Sequence, residues 1–211
     1  VHTLRASGTP TRSFRDYLAY ADAMLADYLA FGRIVSLVDG YRVLQSGLET
    51  FYADRPGAFV EGVTEGPGPY AADVPSPSLT DDLGESSLAM AVRLLTRYGQ
   101  LMGVLQQPES TLAGDFEPRK TARQIVQASA ASANRMQNQV SAFFASAVEM
   151  SRDRFILVVG PGSVERASVI ARKNPTIMAA PAVGRLQAPF SNLKPGAYSI
   201  FGGKVVEKVQ L

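Results

Sequence analysis

The sequence contains no cysteine, no tryptophan and a single histidine, His2. Without cysteine the chain can form neither disulfides nor thiolate sites for zinc or iron–sulfur clusters, and it has no cysteine nucleophile. A catalytic triad built on histidine would have to use His2, close to the first residue. These absences exclude most of the familiar nucleophilic and metal-centred reactions.

Long apolar runs are also missing, and the best candidate, residues 18–38, carries Asp22, Asp27 and Arg33. A bilayer span needs about 20 predominantly apolar residues, so we expect no transmembrane segment. The sequence does not begin with a charged segment followed by an apolar one, the pattern that is typical of a signal peptide. Because the first residue is Val1 rather than methionine, we expect that a targeting peptide has been removed or that further residues precede it.

The composition is sufficient for a folded core. The chain has 211 residues, of which 46% are hydrophobic and 19% charged. A chain of this length buries roughly 70% of the surface that its unfolded form exposes, as one large domain or two small ones. The composition is typical of neither disordered nor fibrous proteins.

The charge is unevenly distributed along the chain. Residues 1–114 hold eight Lys and Arg against thirteen Asp and Glu, a net charge of −5, whereas residues 115–211 hold thirteen against six, a net charge of +7. All five lysines lie in the second part. A basic half indicates an acidic partner, which could be a protein, a membrane surface or nucleic acid; a chance difference in charge between the halves is equally consistent with the sequence. We expect no nucleic-acid partner, because the basic residues form no dense run and no binding signature accompanies them.

The N-terminal part is predicted to be mainly helical. Residues 1–12 are expected to form an extended arm, and residues 13–150 a helical domain. Ser13 and Asp16 approximate a capping box in front of a helix whose apolar residues repeat at spacings of three and four. The pattern continues to a break predicted at Asp39-Gly40.

Further helices are predicted over residues 41–52, 85–105 and 118–150, the last opening on a proline that suits a first helical turn. Three or more helices therefore make up this part. The buried stripe expected for the last helix consists of Ile125, Ala128, Ser132, Met136, Val140, Phe143, Phe144, Ala147 and Val148.

Residues 56–78 contain five prolines and four glycines. Pro67, Pro69, Pro75 and Pro77 exclude regular structure there. The segment is predicted to be a long loop or an extended strap over a surface. A functional loop and a plain linker are equally consistent with this composition.

Residues 154–211 are predicted to form a small α+β domain. A strong β run at residues 155–159 ends at a glycine–proline–glycine turn. The remaining elements are expected to be a short helix or an arm over residues 164–173, weaker strands over residues 177–183 and 186–190, and a terminal strand over residues 204–211. The predicted fold class is therefore α+β, with a mainly helical N-terminal part and a Pro/Gly-rich strap followed by this small C-terminal domain.

Three features suggest chemistry, and each has a simpler structural interpretation. Gly160, Pro161 and Gly162 could hold a phosphate before a helix, but the sequence lacks a complete nucleotide motif, which favours a tight turn. The acidic residues Asp81, Asp82 and Glu85 could bind a cation, although acids at a helix start more often stabilise its positive end. An aromatic stripe could line a ligand or pigment pocket or belong to the core; it consists of Tyr17, Tyr20, Tyr28, Phe31 and Tyr41.

Four segments of the C-terminal region follow one another in a recognisable order: an opening strand, a basic excursion, a proline–aromatic segment, and paired glycines before a closing strand. They are residues 154–158, residues 165–173 with Arg166, Arg172 and Lys173, residues 188–193 with Pro189 and Phe190, and residues 200–211 with Gly202, Gly203 and Lys204. This order resembles the small domain found near the C-terminus of phycobilisome linker polypeptides. Glu207 is an insertion relative to that pattern.

The resemblance implies a non-enzymatic linker that joins and orders phycobiliprotein rings in a light-harvesting phycobilisome and tunes the environment of their bilins. It implies acidic phycobiliprotein subunits and other linkers as partners, on the stromal or cytoplasmic face of the thylakoid membrane. Without cysteine the chain can attach no bilin covalently, so contact with bilins carried by partner subunits would be non-covalent. The residues implied at partner contacts are Phe155, Arg166, Arg172, Lys173, Pro189, Phe190, Gly202, Gly203 and Lys204.

Two other classes of function remain open from the sequence. A virion structural protein, such as a phage head–tail or internal protein, would also be rich in helix, free of cysteine and polarised in charge. A small-ligand enzyme would use the turn at residues 160–162.

Overall fold

The computed structural model describes residues 3–4, 10–51, 57–64, 77, 79–81, 84–106 and 116–209. It shows the predicted α+β class, with helices through the N-terminal part and a small sheet near the C-terminus. The helices are α1 (Phe14–Phe31), α2 (Ile34–Thr50), α3 (Ser87–Met102), α4 (Pro118–Arg135), α5 (Ser141–Arg152) and α6 (Ser163–Lys173). The strands are β1 (Thr3–Leu4), β2 (Pro10–Ser13), β3 (Gly62–Thr64), β4 (Arg154–Val159), β5 (Ala179–Pro181), β6 (Gly196–Phe201) and β7 (Lys204–Val209).

The first two helices form a hairpin that turns at Gly32, so the break predicted at Asp39-Gly40 is wrong. Gly32 ends α1 in the left-handed conformation, with φ 69°, and its N–H donates to the Tyr28 carbonyl at 2.8 Å. Helix α2 runs unbroken through Gly40 to Thr50; Tyr52 lies outside the described residues. A Cβ on Gly40 would collide with the Tyr98 hydroxyl, so this glycine permits close helix packing.

The capping box predicted at Ser13 and Asp16 is also wrong. Ser13 is the N-cap of α1, but its side chain makes no capping hydrogen bond. The hydroxyl of Ser13 instead donates to Glu61 Oε1 at 3.4 Å, and the same oxygen accepts from the Arg15 N–H at 3.3 Å. A carboxylate distant in sequence therefore satisfies an N–H group at the start of this helix.

The long helix predicted over residues 118–150 is two helices in the structure. Helix α4 ends at Arg135, a 3-10 turn follows at Gln137–Gln139, and α5 begins at Ser141. Because α5 begins anew at Ser141, its buried face does not continue that of α4. Phe144 and Val148, which were expected in the buried stripe, are therefore 37% and 46% exposed. The helix predicted over residues 85–105 is confirmed with slightly shorter bounds as α3.

A small antiparallel sheet joins the predicted arm to the predicted strap, in the order β1-β2-β3. Arg12 of β2 is opposite Val63 of β3. Strand β3 is thus regular structure inside a segment predicted to have none. Residues 1–2, 5–9, 65–76 and 78, which include Pro67, Pro69 and Pro75, lie outside the described residues.

The C-terminal sheet has the order β5-β4-β6-β7. Strand β4 is parallel to β5 and antiparallel to β6, which in turn is antiparallel to β7. The predicted strands at residues 155–159, 177–183 and 204–211 are confirmed with adjusted bounds, and α6 resolves the choice between helix and arm. The prediction of a strand at residues 186–190 is wrong, and β6 was not predicted.

One hydrophobic cluster extends from the helices onto one face of this sheet. It includes Phe14, Tyr98 and Phe143 from the helical part together with Phe155 and Phe190 from the C-terminal part. A smaller cluster fills the space between the other face of the sheet and α6. The helices and the sheet are therefore packed on a continuous core.

Candidate functional site

The residues implied at partner contacts do not lie together in the structure. Phe155 and Phe190 are 0% and 1% exposed and belong to the core, so neither can touch a partner while the chain is folded. Pro189 is exposed on the loop between β5 and β6. That loop lies at the carboxyl end of β4, since Val159, the last residue of β4, is opposite Gly196, where β6 begins.

Arg166 has an internal role. Its Nη2 donates to the carbonyls of Val159 and Pro161, both at 2.9 Å, and its Nε donates to the carbonyl of Gly162 at 3.3 Å. The guanidinium thus satisfies the carbonyls of the turn between β4 and α6. The prediction of a tight turn at residues 160–162 is confirmed.

The other predicted residues share one end of the sheet. Phe201, the last residue of β6, is opposite Arg154, the first residue of β4, so the hairpin of Gly202 and Gly203 lies at the amino end of β4. Helix α6 packs against β4 and runs back along the sheet toward this end, where it finishes at Lys173. The structure therefore gathers a set that we call the basic end: Arg152, Arg154, Arg172, Lys173 and Lys204.

The β6–β7 pairing is irregular next to Glu207, the residue that the resemblance implies to be an insertion. Ser199 is opposite Glu207, but Ile200 is opposite Val205, so one extra residue of β7 falls between the two pairs. Gly202 and Gly203 have φ values of 55° and 75°, which suit a two-residue hairpin turn. A β-bulge and lysines on an edge strand both discourage pairing with another strand.

A groove of about 650 Å³ opens beside the basic end, between α5 and the sheet. Its walls include Val148 and Arg152 of α5, Arg154 and Phe201 of the sheet, and Pro175 and Ile177 before β5. Phe201 is 53% exposed, an unusual state for a large aromatic side chain. We call this feature the groove. An apolar floor with cations at its rim suits an acidic partner that also carries apolar side chains.

Two arginines at the groove form ion pairs with carboxylates of the chain, whereas the other cations of the basic end form none among the described residues. Arg97 pairs with Glu149 at 2.7 Å, and Arg154 pairs with Glu207 at 3.0 Å. Within the described part of the chain, no carboxylate lies within ion-pair distance of the other four cations. Those four are Arg152, Arg172, Lys173 and Lys204. The basic end therefore carries a net positive charge that faces solvent.

Sequence reasoning identified only part of this surface. It found Arg172, Lys173 and Lys204 through the resemblance, but it missed Arg152 and the exposed Phe144, Val148 and Phe201. The pattern placed Phe144 and Val148 in the core because it assumed a single helix. Phe144, Val148 and Arg152 are spaced four residues apart, which places them on one face of a helix. This spacing was the signal that could have identified the exposed face of α5.

The acidic residues near position 81 form hydrogen bonds within the fold. Asp81 Oδ2 accepts from the Ala142 N–H at 2.8 Å and from the Ser141 hydroxyl at 3.0 Å, so it caps α5. Glu85 pairs with Arg93 at 2.6 Å; Asp82 lies outside the described residues. No cluster of potential metal ligands occurs in the described ranges.

Replacing Asp81 with alanine should lower the free energy of unfolding by about 1–2 kcal/mol, because a side-chain cap of a helix N-terminus is lost. Urea denaturation followed by circular dichroism measures the change. Asp81→Asn is the matched control, since it keeps one acceptor oxygen and should lose less. A loss that appears only when a divalent cation is present would contradict the capping role.

The aromatic stripe is mostly core. Tyr17, Tyr28 and Tyr41 are buried, whereas Tyr20 and Phe31 are 41% and 64% exposed. Burial raises the pKa of Tyr28 well above its usual value, against a smaller lowering by the backbone hydrogen bond of Val183. Burial also raises the pKa of Tyr41. These hydroxyl groups are held neutral inside the fold and line no ligand pocket that we observe among the described residues.

The chain matches no protein-family model, and neither curated proteins nor solved structures gave a match. The resemblance to phycobilisome linkers therefore rests on the C-terminal residues alone. None of the described helices is both long enough and apolar enough to span a bilayer.

Proposed function

We propose that this chain is a non-enzymatic linker that binds an acidic protein through its basic end. The observation that carries the proposal is the collection of Arg152, Arg172, Lys173 and Lys204 at one end of the sheet, beside an exposed apolar groove that Arg152 lines. These residues come from three separate segments, and the fold brings them to one end of the sheet. A surface of this kind steers an oppositely charged partner and then buries apolar area against it.

The C-terminal resemblance supports phycobiliprotein rings of a light-harvesting antenna as the partner, on the stromal or cytoplasmic face of the thylakoid membrane. Three of the four exposed cations, Arg172, Lys173 and Lys204, belong to segments that carry that resemblance. Phe201 is the exposed aromatic side chain at this end, and it is our candidate for non-covalent contact with a bilin on a partner subunit.

Reversing two charges at the basic end should weaken the complex. For the double variant Lys173→Glu, Lys204→Glu we expect about a tenfold loss of affinity for purified phycobiliprotein hexamers, since charges at the rim of an interface contribute about 0.2–1 kcal/mol each. Biolayer interferometry with immobilised hexamers and the full chain measures it. The loss should shrink at high salt, because the Debye length falls below about 5 Å.

Lys194→Glu is the matched control. Lys194 is exposed but precedes β6, at the opposite end of the sheet, so its reversal should leave binding unchanged. Because Lys194→Glu reverses one charge and the double variant reverses two, a loss of binding free energy for Lys194→Glu about half that of the double variant would show that binding depends only on net charge. A wild-type chain that binds no phycobiliprotein, together with a native complex that lacks phycobilin absorption bands, would contradict the light-harvesting assignment. Capsid or portal proteins in that complex would identify the virion alternative.

A further inference from the structure

Asp153 joins the helical part of the chain to the sheet, between α5 and β4. It adopts the left-handed conformation, with φ 41° and ψ 41°, and among the described residues it is the one residue other than glycine with a positive φ. Glycine is the usual residue at a helix end of this kind, because a side chain makes the left-handed conformation costly. An aspartate in this position indicates that its side chain is used.

The carboxylate of Asp153 is bound by α3 and α4. The buried Gln100 of α3 donates through Nε2 to Asp153 Oδ1 at 3.3 Å, and Arg119, in the first turn of α4, pairs with Oδ2 at 3.1 Å. A Cβ on Gly99 would lie 2.9 Å from Arg119 Cγ, so this glycine leaves the arginine room to cross α3. These contacts hold the bend at Asp153 against the helical part of the chain.

The backbone of Asp153 is bound by α5 and by the turn between β6 and β7. Its N–H donates to the Glu149 carbonyl at 3.1 Å, and its carbonyl accepts from the Gly202 N–H at 3.2 Å. Gly202 belongs to the turn that precedes Lys204, the first residue of β7. One residue therefore connects three helices to this turn, and its position determines where the turn lies.

The neighbours of Asp153 in the chain are Arg152 and Arg154, and both belong to the basic end. The bend at Asp153 sets the angle between α5 and β4, and with it the directions in which these two arginines leave the backbone. The hydrogen bond from Gly202 holds the turn that carries Lys204. The arrangement of these three cations therefore depends on the conformation of one residue.

We propose that Asp153 is a positioning residue for the partner site at the basic end. The inference rests on the proposed function and deepens it, because it identifies what holds that site in its binding arrangement. Asp153 acts through its neighbours, since its carboxylate is turned toward α3 and α4. A site whose cations are already in place binds more tightly, because binding does not have to order them.

The charge of Asp153 opposes the binding of an acidic partner, whereas its position favours it. A carboxylate between two arginines lowers the positive potential of the basic end. If charge alone decided the affinity, every replacement that removes this carboxylate would tighten the complex. The positioning role predicts instead that the affinity depends on which residue replaces Asp153, and the two roles are therefore distinguishable by experiment.

Three variants of Asp153 have the same net charge and differ in the contacts that they keep. Asp153→Asn keeps an acceptor oxygen and a side chain that tolerates the left-handed conformation. Asp153→Gly keeps the conformation alone, and Asp153→Ala keeps neither. Biolayer interferometry of the full chain with phycobiliprotein hexamers should give an affinity for Asp153→Asn within about twofold of the wild type. It should show a loss of about threefold for Asp153→Gly and about tenfold for Asp153→Ala.

Amide hydrogen exchange of Gly202, measured by NMR on the full chain, gives a readout that needs no partner. The Gly202 N–H should exchange about tenfold faster in Asp153→Ala than in the wild type, and at nearly the wild-type rate in Asp153→Asn. Leu157, buried in the centre of β4, is the internal reference. A variant that is merely less stable would raise the exchange rate of Leu157 at least as much as that of Gly202.

Equal affinities for the three variants overturn the proposal, and so does a Gly202 exchange rate in Asp153→Ala that matches the wild type. If Asp153→Ala does not fold, the comparison of Asp153→Gly with Asp153→Asn decides, because glycine adopts the left-handed conformation without strain. A wild-type chain that binds no hexamer contradicts the proposed function. The Gly202 exchange rates then still show whether Asp153 holds the turn, so the two failures are distinguishable.

Discussion

Replacing Phe155 with alanine should lower the free energy of unfolding by about 3–5 kcal/mol, the cost of deleting a fully buried aromatic ring and leaving a cavity. Phe155 has no exposed surface and belongs to the cluster that joins the helices to the sheet. The expected result is a large loss of stability in urea denaturation, with any loss of partner binding explained by the unfolded fraction. This outcome would replace the role at a partner contact that the resemblance implied.

Phe201→Ala is the matched control, because both phenylalanines lie on the C-terminal sheet and only their burial differs. Phe201 is 53% exposed, so its replacement should change stability by less than about 1 kcal/mol. It should nevertheless weaken association with a partner that covers the groove. A Phe155→Ala variant that is as stable as the wild type yet fails to bind would contradict the core role.

The sequence was sufficient to predict elements whose signals are local. The helix that starts after Ser13, the helix α3 and the strand β4 each have a strong period or a compact apolar run, so their existence followed directly from the pattern. The turn after β4 followed from its glycines and proline. These features together establish the α+β class.

Features set by distant contacts could not be predicted in the same way. Gly40 is an example, because a glycine after an aspartate is typical of a turn, yet here it makes room for the Tyr98 hydroxyl. Strand β6 has little β-propensity at its first residues and forms because it pairs along the whole of β4. Tertiary packing overrides local preference at both places.

The candidate site illustrates the same limit. Its cations come from residues 152, 172–173 and 204, and only the topology of the sheet shows that these segments end side by side. A further obstacle was the interruption between α4 and α5. The Ala142 N–H donates to Asp81 at 2.8 Å, and Asp81 is distant in sequence. No local pattern around position 140 could therefore show that a new helix begins there and turns Val148 outward.

Raising the pH above 10 should destabilise the protein steeply. Burial raises the pKa of Tyr98, and the charge of Asp22 raises it further; burial likewise raises the pKa of Tyr28. A tyrosine in the unfolded chain loses its proton near pH 10, whereas these two keep theirs in the fold. The stability that they contribute is therefore complete below pH 10 and is lost as the pH rises above it.

Each of the two tyrosines should lower the free energy of unfolding by about 1.4 kcal/mol per pH unit above 10. Together they should lower it by about 5 kcal/mol at pH 12. Urea denaturation at a series of pH values between 8 and about 12 measures this slope. The chain is well suited to the experiment, because it has no cysteine to titrate in that range, and all five lysines are exposed.

Tyr28→Phe and Tyr98→Phe test whether these two tyrosines cause the alkaline loss of stability. Each removes a hydroxyl that donates inside the fold, to the carbonyl of Pro181 and to that of Ala21 at 2.8 Å respectively. Each variant should therefore be less stable at neutral pH by about 1–2 kcal/mol. Each should also reduce the alkaline slope, since one buried phenol fewer remains to resist ionisation. Tyr20→Phe, at an exposed position, is the control substitution, and an alkaline slope as steep in the double variant as in the wild type would contradict the assignment to these two hydroxyl groups.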